Sequence, residues 1–439
     1  MTNLRQSSPC VAIACGGTGG HLFPGLAVAE QLQRRDCAVT LLVSPKEVDQ
    51  HAVQSARGME IVTLPAVALQ RGTWLAFGRG FFQSWRAARK SFLAHPPQAV
   101  LAMGGFTSAP PVLAARSVGA KKFLHESNTI PGRANRWLAR LVDQAFVGFP
   151  QARRRLPAKE TTVTGTPVRT DIRPRDAGEC RAALGLDPAR PVVLVMGGSQ
   201  GATGINDLIL SALPQLAAPG SHWQWLHLTG PHDGEKVRAA YAKLGLTAVV
   251  HPFLREMDQA LAAATVAVNR SGASSLAEFA ALRVPSVLVP FPHAADDHQL
   301  HNARAFADTG AAFLLEQKGA TPERVVQLIG ELIENSATRE KMQAALATWH
   351  APHSADRIAE IILRAIGGRR ADIPVRGFTG LSSPVSQAAN ANWPHCELAT
   401  GKSPEPADKN VRPTFESRLP GCGERESHRQ AVGELSALA

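Results

Sequence analysis

Two stretches of this sequence share one construction. "CVAIACGGTGGH" (10–21) is an apolar run that breaks into glycines, and "PVVLVMGGSQG" (191–201) repeats it. Helix-spaced residues follow each, in "PGLAVAEQLQRR" (24–35) and "INDLILSAL" (205–213). A strand that is apolar throughout, rather than at alternate positions, belongs to a parallel sheet covered on both faces. A strand turning through glycine into a helix opens a doubly wound α/β domain. Two such openings predict two doubly wound domains in tandem.

The rest of the chain fits that plan. Further strands are expected at 38–43, 99–105, 121–127 and 143–149, then at 224–230, 248–253, 265–269 and 285–291. Helices fit between them, for example at 134–142, and amphipathic helices are expected at 323–333 and 356–366. A stretch rich in Pro, Thr and charge, 156–176, is the natural hinge. The expected domains are 1–165, 166–352 and a closing helix at 353–366. Residues 367–439 are rich in Pro, Ser, Gly and Asn and read as a disordered tail. Ligands of doubly wound sheets bind beyond the carboxyl ends of the strands, so two facing domains put the active site in the cleft between them.

Composition narrows the partners. A formal charge of +11 and a pI near 9.8 favour anionic partners. With a single tyrosine and no alternation of basic and aromatic residues, nucleic acid is not expected among them. The six cysteines form no C-x-x-C pair and read as reduced thiols. No signal peptide is read at the start, and no apolar run approaches the roughly 18 residues of a membrane span. The expectation is a soluble or peripheral protein.

Glycine at a strand-to-helix turn lets backbone N–H groups point outward with a helix dipole behind them, a site suited to a diphosphate. The loop 16–21 is neither the dinucleotide G-x-G-x-x-G nor a P-loop, and no acid ends the second strand to hold an NAD ribose. A further loop, "MGGFTSAP" (103–110), follows a strand of the same domain. His21 is the first imidazole past the glycines, and a neutral imidazole there can act as general base or, alternatively, fix the loop. In the second half, "NRSGASSLAE" (269–278) crowds Ser271, Gly272, Ser274 and Ser275 at a helix start, with Glu278 able to clamp a ribose diol. "PFPHAADDHQLHNA" (290–303) brings Asp297, His298 and Gln299 to another strand end. The chain has no D-x-D and no His/Cys cluster with ligand spacing, so no metal cofactor is expected. Charge on a leaving diphosphate then falls on amides, a helix dipole and a cation such as Arg169 in "GTPVRTD".

Seven motifs, "GGTGGHLFPGLAVA", "MGGFTSAP", "HESNTIPGRANRWLA", "GTPVRTD", "GGSQGATGIND", "RSGASSLAE" and "VPFPHAADDHQLHNA", occur in order. Together they resemble the MurG family, the bacterial UDP-N-acetylglucosamine–N-acetylmuramyl-(pentapeptide) pyrophosphoryl-undecaprenol N-acetylglucosamine transferases. The likeness runs from about residue 10 to 366 and is not seen in the tail. It implies a GT-B fold and an inverting hexosyl transfer in peptidoglycan synthesis, and so a part in cell-wall biogenesis, cell shape and cell division. GlcNAc would pass from UDP-GlcNAc to the C4 hydroxyl of MurNAc in lipid I, giving lipid II. The enzyme would sit peripherally at the cytoplasmic face of the bacterial inner membrane, with cell-wall synthesis proteins as partners. By motif position, Thr18, Gly19, Gly20, Asn128, Arg169, Ser199, Leu254, Ala273, Ser274, Ser275, Leu276, Ala277, Glu278 and Gln299 would form the donor site. Gly16, Gly17, Gly104 and Gly105 would cradle the acceptor diphosphate, and His21 would be the base. Two departures stand out: Ser127, where the family has "HEQN", and Thr166, where it has "GNPVR".

A lipid acceptor requires a surface that meets the bilayer. In "RGTWLAFGRGFFQSWRAARK" (71–90), Trp74, Phe77, Phe81 and Trp85 fall on one helical face. Arg79, Arg86 and Lys90 lie largely opposite, flanked by Arg71 and Arg89. An aromatic face flanked by cations suits an anionic leaflet, and the same face suits a core-packed helix. Other readings of the whole chain are a GT-B transferase with another acceptor, a UDP-sugar 2-epimerase, a non-catalytic nucleotide-sugar-binding scaffold and, last, an NAD oxidoreductase.

Overall fold

The computed structural model describes residues 8–367, apart from 47–48, 50–55, 57, 66–73, 199–200, 202 and 219–221. Ser199 and the tail expected to be disordered lie outside the described residues.

The first lobe carries strands β1 (Cys10–Ala14), β2 (Ala38–Val43), β3 (Glu60–Thr63), β4 (Ala99–Ala102), β5 (Lys121–Glu126), β6 (Gln144–Val147) and β7 (Thr161–Val163). They form one sheet in the order β3-β2-β1-β4-β5-β6-β7. Every pairing is parallel; Val11, for example, sits between Val39 and Ala99. Its helices are α1 (Gly19–Gln33), α2 (Trp74–Ala94), α3 (Ala109–Ala115) and α4 (Arg133–Leu138).

After the crossover, α5 (Ala177–Ala183) leads into the second lobe. Strands β8 (Val192–Met196), β9 (Gln224–Leu228), β10 (Ala248–His251), β11 (Val266–Asn269), β12 (Ser286–Leu288) and β13 (Phe313–Leu314) make a second parallel sheet. Its order is β10-β9-β8-β11-β12-β13. Between its strands run α6 (Thr203–Leu216), α7 (Gly234–Lys243), α8 (Met257–Ala263), α9 (Ala273–Leu282) and α10 (His298–Ala307), followed by α11 (Pro322–Glu334) and α12 (Ser336–Trp349). The sheets reverse their order at β1/β4 and β8/β11, which puts the binding crevice of each lobe beside a glycine loop. The two doubly wound sheets are those the sequence predicts.

The chain does not finish on the second lobe. Helix α13 (Ser354–Ile366) buries Ala355, Ile358, Ala359 and Ile362 in the same core as Leu22, Leu26 and Ala29 of α1. Arg35 fastens the seam to Asp356 at 2.7 Å.

One sequence expectation changes and one open reading is decided. The stretch 156–176 is not all hinge, because β7 lies inside it as an edge strand of the first sheet. The aromatic face of α2 also turns inward. Phe77, Phe81 and Trp85 are half-buried on the side of Gly80, Ala88 and Phe92, and the Phe77 ring lies 6.1 Å from Phe81 and 6.4 Å from Phe106. The apolar residues left in solvent are Leu75, Phe82 and Leu93, interleaved with exposed Arg79, Arg86, Arg89 and Lys90. The Trp74 side chain and Arg71 lie outside what the structure describes.

Candidate functional site

The four glycines of 16–21 have different causes. A Cβ on Gly16 would collide with Ser44 N at the end of β2. Gly17 needs φ +114°, which L side chains rarely adopt, and its N–H donates to Asp49 Oδ2 at 2.7 Å. Asp49 is fully buried and also accepts from Ser44 N and Oγ, while Lys46 Nζ donates to Gly17 O at 2.9 Å and Thr107 Oγ1 to Gly16 O at 2.6 Å. Gly19 and Gly20 form the first turn of α1, where backbone N–H groups have no partner within the helix.

Helix α1 starts at Gly19 rather than at Pro24, and Pro24 has a job inside it. Having no N–H, it cannot bond the carbonyl four residues back, which is Gly20. That carbonyl accepts instead from Ser274 Oγ at 3.0 Å, across the cleft on α9. The first turn of α1 and the first turn of α9 therefore meet.

His21 lies in the same turn. Its ring rests on the backbone of Gly104 and Gly105, where an added Cβ would come within 3.1 Å of imidazole atoms. Both glycines hold positive φ, +113° and +76°. What lies against the second glycine loop is thus the imidazole. Thr18 Oγ1 engages His21 Nδ1 at 3.2 Å. Burial, with help from His298 and Lys46 and against Asp49, pushes the imidazole down to about 4. It is neutral at physiological pH.

Beside it, Glu126 ends β5 almost fully buried. It accepts from Asn128 N and Nδ2, Gly132 N and Asn135 Nδ2 at 2.8–3.0 Å. Burial raises its carboxyl against those bonds. Asn128 is consequently held by its neighbours, and its Oδ1 accepts from Asn302 Nδ2 of the second lobe at 3.0 Å.

On the donor side, Arg169 and Glu278 come together. Arg169 Nη2 lies 3.8 Å from Glu278 Oε1, and its guanidinium sits over the Phe23 ring of α1 at 4.4 Å. Arg169 Nε is buried with no acceptor in the protein. Burial pushes Glu278 up to about 7, against the pull of Arg169. Helix α9 opens at Gly272, with Ser275 and Ala277 half-buried near the cleft, whereas the side chains of Ala273 and Leu276 are buried. Ser274 has committed its hydroxyl to Gly20. Gln299 accepts from Phe291 N through Oε1 at 3.0 Å, which leaves its NH2 as donor. Leu254 is half-buried against the second-lobe core.

Sequence reasoning passed over Asp49, Glu126, Asn302 and Arg270. Arg270 donates to the carbonyls of Val289 and Pro290 at 3.0 and 3.1 Å, and burial pushes it down to about 10. A polar residue at the end of an apolar strand, as in "HES" (125–127) or "VNR" (268–270), is the signal that was there to use.

Residues 11–147 match the glycosyltransferase family 28 N-terminal domain and residues 192–358 its C-terminal domain. The UDP-N-acetylglucosamine–N-acetylmuramyl-(pentapeptide) pyrophosphoryl-undecaprenol N-acetylglucosamine transferase of Anaeromyxobacter dehalogenans (strain 2CP-1) is 35% identical over 379 residues, covering 81% of this chain and 93% of that one. The enzyme of the same name from Xanthomonas campestris pv. campestris (strain B100) is 36% identical over 422 residues, 93% of each chain. A match of that extent runs past residue 367, so the likeness does not stop at the closing helix. The crystal structure of Acinetobacter baumannii MurG superposes with TM-score 0.63 at 29% identity, covering 81% of this chain and 99% of that one. A protein described as a UDP-N-acetylglucosamine 2-epimerase from Listeria monocytogenes reaches TM-score 0.61 at 15% identity, over 83% of this chain and 98% of that one, a likeness of fold alone.

Proposed function

The chain belongs to the MurG family of N-acetylglucosamine transferases, within glycosyltransferase family 28, and from that premise we propose how its cleft works. It transfers GlcNAc from UDP-GlcNAc to N-acetylmuramyl-(pentapeptide) pyrophosphoryl-undecaprenol, converting lipid I into lipid II. The observation that carries the reading is the meeting of the two first turns, Gly20 of α1 against Ser274 of α9. That contact supports the reading because the turn of α1 that meets the N-terminal turn of α9 is the one that carries His21.

In the step we infer, the acceptor C4 oxygen bonds to the anomeric carbon as the bond from that carbon to the diphosphate oxygen breaks. The hydroxyl proton passes to His21, and UDP leaves with the bonding pair and inverted configuration at carbon. With Nδ1–H donating to Thr18 Oγ1, Nε2 carries the lone pair and is the nitrogen that takes the proton. A general base of this kind contributes roughly 10²–10⁴ in rate. Charge on the leaving diphosphate meets the N-terminal amides of α9, Ser275 and Arg169, whose buried Nε lacks a protein acceptor. Glu278, once ionised, accepts from the two ribose hydroxyls, and the Gln299 amide donates to the sugar. The amides of Thr18, Gly19 and Gly20 face the diphosphates in the cleft, while Gly17 N–H serves Asp49.

The acceptor carries a polyprenyl chain, so the enzyme works at a membrane. No described helix is long and apolar enough to cross one. The face of α2 with Leu75, Phe82 and Leu93 among Arg79, Arg86 and Lys90 suits peripheral contact with an anionic leaflet, which for a UDP-sugar enzyme is the cytoplasmic one. The test is incubation with labelled UDP-GlcNAc and lipid I. A labelled lipid product is expected; release of free GlcNAc or of an epimerised nucleotide sugar without lipid labelling would overturn the reading.

A further inference from the structure

Helix α10 joins the cleft to the place where the lobes are tied. Gln299, Asn302 and Phe306 recur at i, i+3 and i+7 and so share one stripe. At the far end, Phe306 stacks on Trp349 at 4.4 Å and lies 6.1 Å from Phe149. Phe149 follows β6 of the first lobe yet is buried in the second-lobe core. This aromatic knot is apolar and adjoins the return crossing of the chain.

One turn nearer the cleft, Asn302 is fully buried and fully bonded. Oδ1 accepts from Thr129 N at 3.0 Å and Thr129 Oγ1 at 2.9 Å; Nδ2 donates to Asn128 Oδ1 at 3.0 Å and Ser271 O at 3.1 Å. Three of the four bonds reach the first lobe, and the fourth stays in its own. A polar contact between two lobes is the kind that opens, since relative motion is the default where an interface is not large and hydrophobic. Rotation of the lobes by about 10° around the knot moves a point one turn away, at about 6 Å, by about 1 Å. Bonds of 2.9–3.0 Å would then pass out of hydrogen-bonding range.

We propose that Asn302 is a positioning residue, the latch that holds the lobes closed and turns Asn128 to the cleft, with Phe306 as the pivot. Donor binding at the cleft end of α10 and closure of the lobes are then one equilibrium, and opening the latch weakens the donor by lowering the closed fraction. Only the activity readout rests on the transferase reading.

A fluorophore pair, one on each lobe of the full chain, measures the separation without any turnover. In Asn302→Ala the ligand-free separation increases over wild type and saturating UDP restores it. KM for UDP-GlcNAc rises about tenfold while kcat at saturating donor stays within about twofold, as three modest bonds lost from one state would give. Thr129→Val removes one bond with little change in volume and moves both readouts the same way, KM by about threefold. An unchanged separation alongside a raised KM, or a fall in kcat with KM unchanged, would overturn the latch. If Asn302→Ala fails to fold, the Thr129→Val separation decides. A wild type that closes on UDP but makes no lipid product would count against the transferase reading and not against the latch.

Discussion

Glu278→Gln offers the sharpest test of the donor site, because one substitution should improve the fold and impair the ligand. Burial puts the carboxyl at about 7, above its ordinary 4.5. If only the carboxylate accepts from the ribose diol, the competent fraction rises from about 0.1 at pH 6 to about 0.9 at pH 8, and apparent affinity scales with that fraction. UDP-GlcNAc should therefore bind about tenfold tighter at pH 8 than at pH 6. The sugar nucleotide is the right probe, since its diphosphate has no proton to exchange in that window. The amide that Glu278→Gln introduces cannot ionise, so the variant's affinity should be flat with pH and, at pH 8, about tenfold weaker for want of a charged acceptor. Stability runs the other way. An acid whose folded pKa is raised costs nothing below pH 4.5, then destabilises increasingly as pH rises to 7, where the cost, the pull of Arg169 included, reaches about 3 kcal/mol. At pH 8 the variant should thus melt later than wild type while binding worse. Calorimetric titration at pH 6, 7 and 8, with thermal melts at the same pH values, reads both. A flat wild-type affinity, or a variant that keeps the slope, would remove Glu278 from the ribose.

Other outcomes follow from the same geometry. His21→Ala should lower kcat by roughly 10²–10⁴ with calorimetric donor affinity nearly unchanged; a rise in KM for the lipid acceptor alone would make His21 a loop support. Gly105→Ala forces a β-carbon into a conformation at φ +76° and to 3.1 Å from the imidazole. It should cost about 1–3 kcal/mol in denaturant melts and reduce kcat as His21 is displaced. Leu75→Glu with Phe82→Glu should abolish co-sedimentation with anionic vesicles while turnover on a soluble acceptor analogue persists.

How much of this was readable beforehand depended on the range of the interaction. The two sheets were legible because their central strands are apolar throughout and each runs into glycine. The edge strands β3, β7 and β13 were not, being short and partly exposed, so that neither periodicity nor burial marks them. Pro24 suggests a helix start, since proline is favoured in a first turn, yet α1 begins at Gly19 and uses the proline to free a carbonyl. The aromatic stripe of α2 was equally good as core or membrane face until Phe106 supplied its neighbour. Motifs pointed to Arg169 and Glu278 separately; only the fold brings them to 3.8 Å. Asn302 was illegible for the same reason, because its partners at 128, 129 and 271 are distant in sequence and nothing local marks a saturated amide.

The return of α13 to the first lobe has a consequence for how the chain is made. The second lobe is an insertion between β7 and the helix that completes the first. On a ribosome adding about 5–20 residues per second, some 10–40 s separate the end of β7 from the arrival of α13. Throughout that interval the α1 face meant for Ile358 and Ile362 has no cover. Nascent chains stalled before 354 should accordingly be substrates for holdase chaperones, and those stalled well after 366 should not.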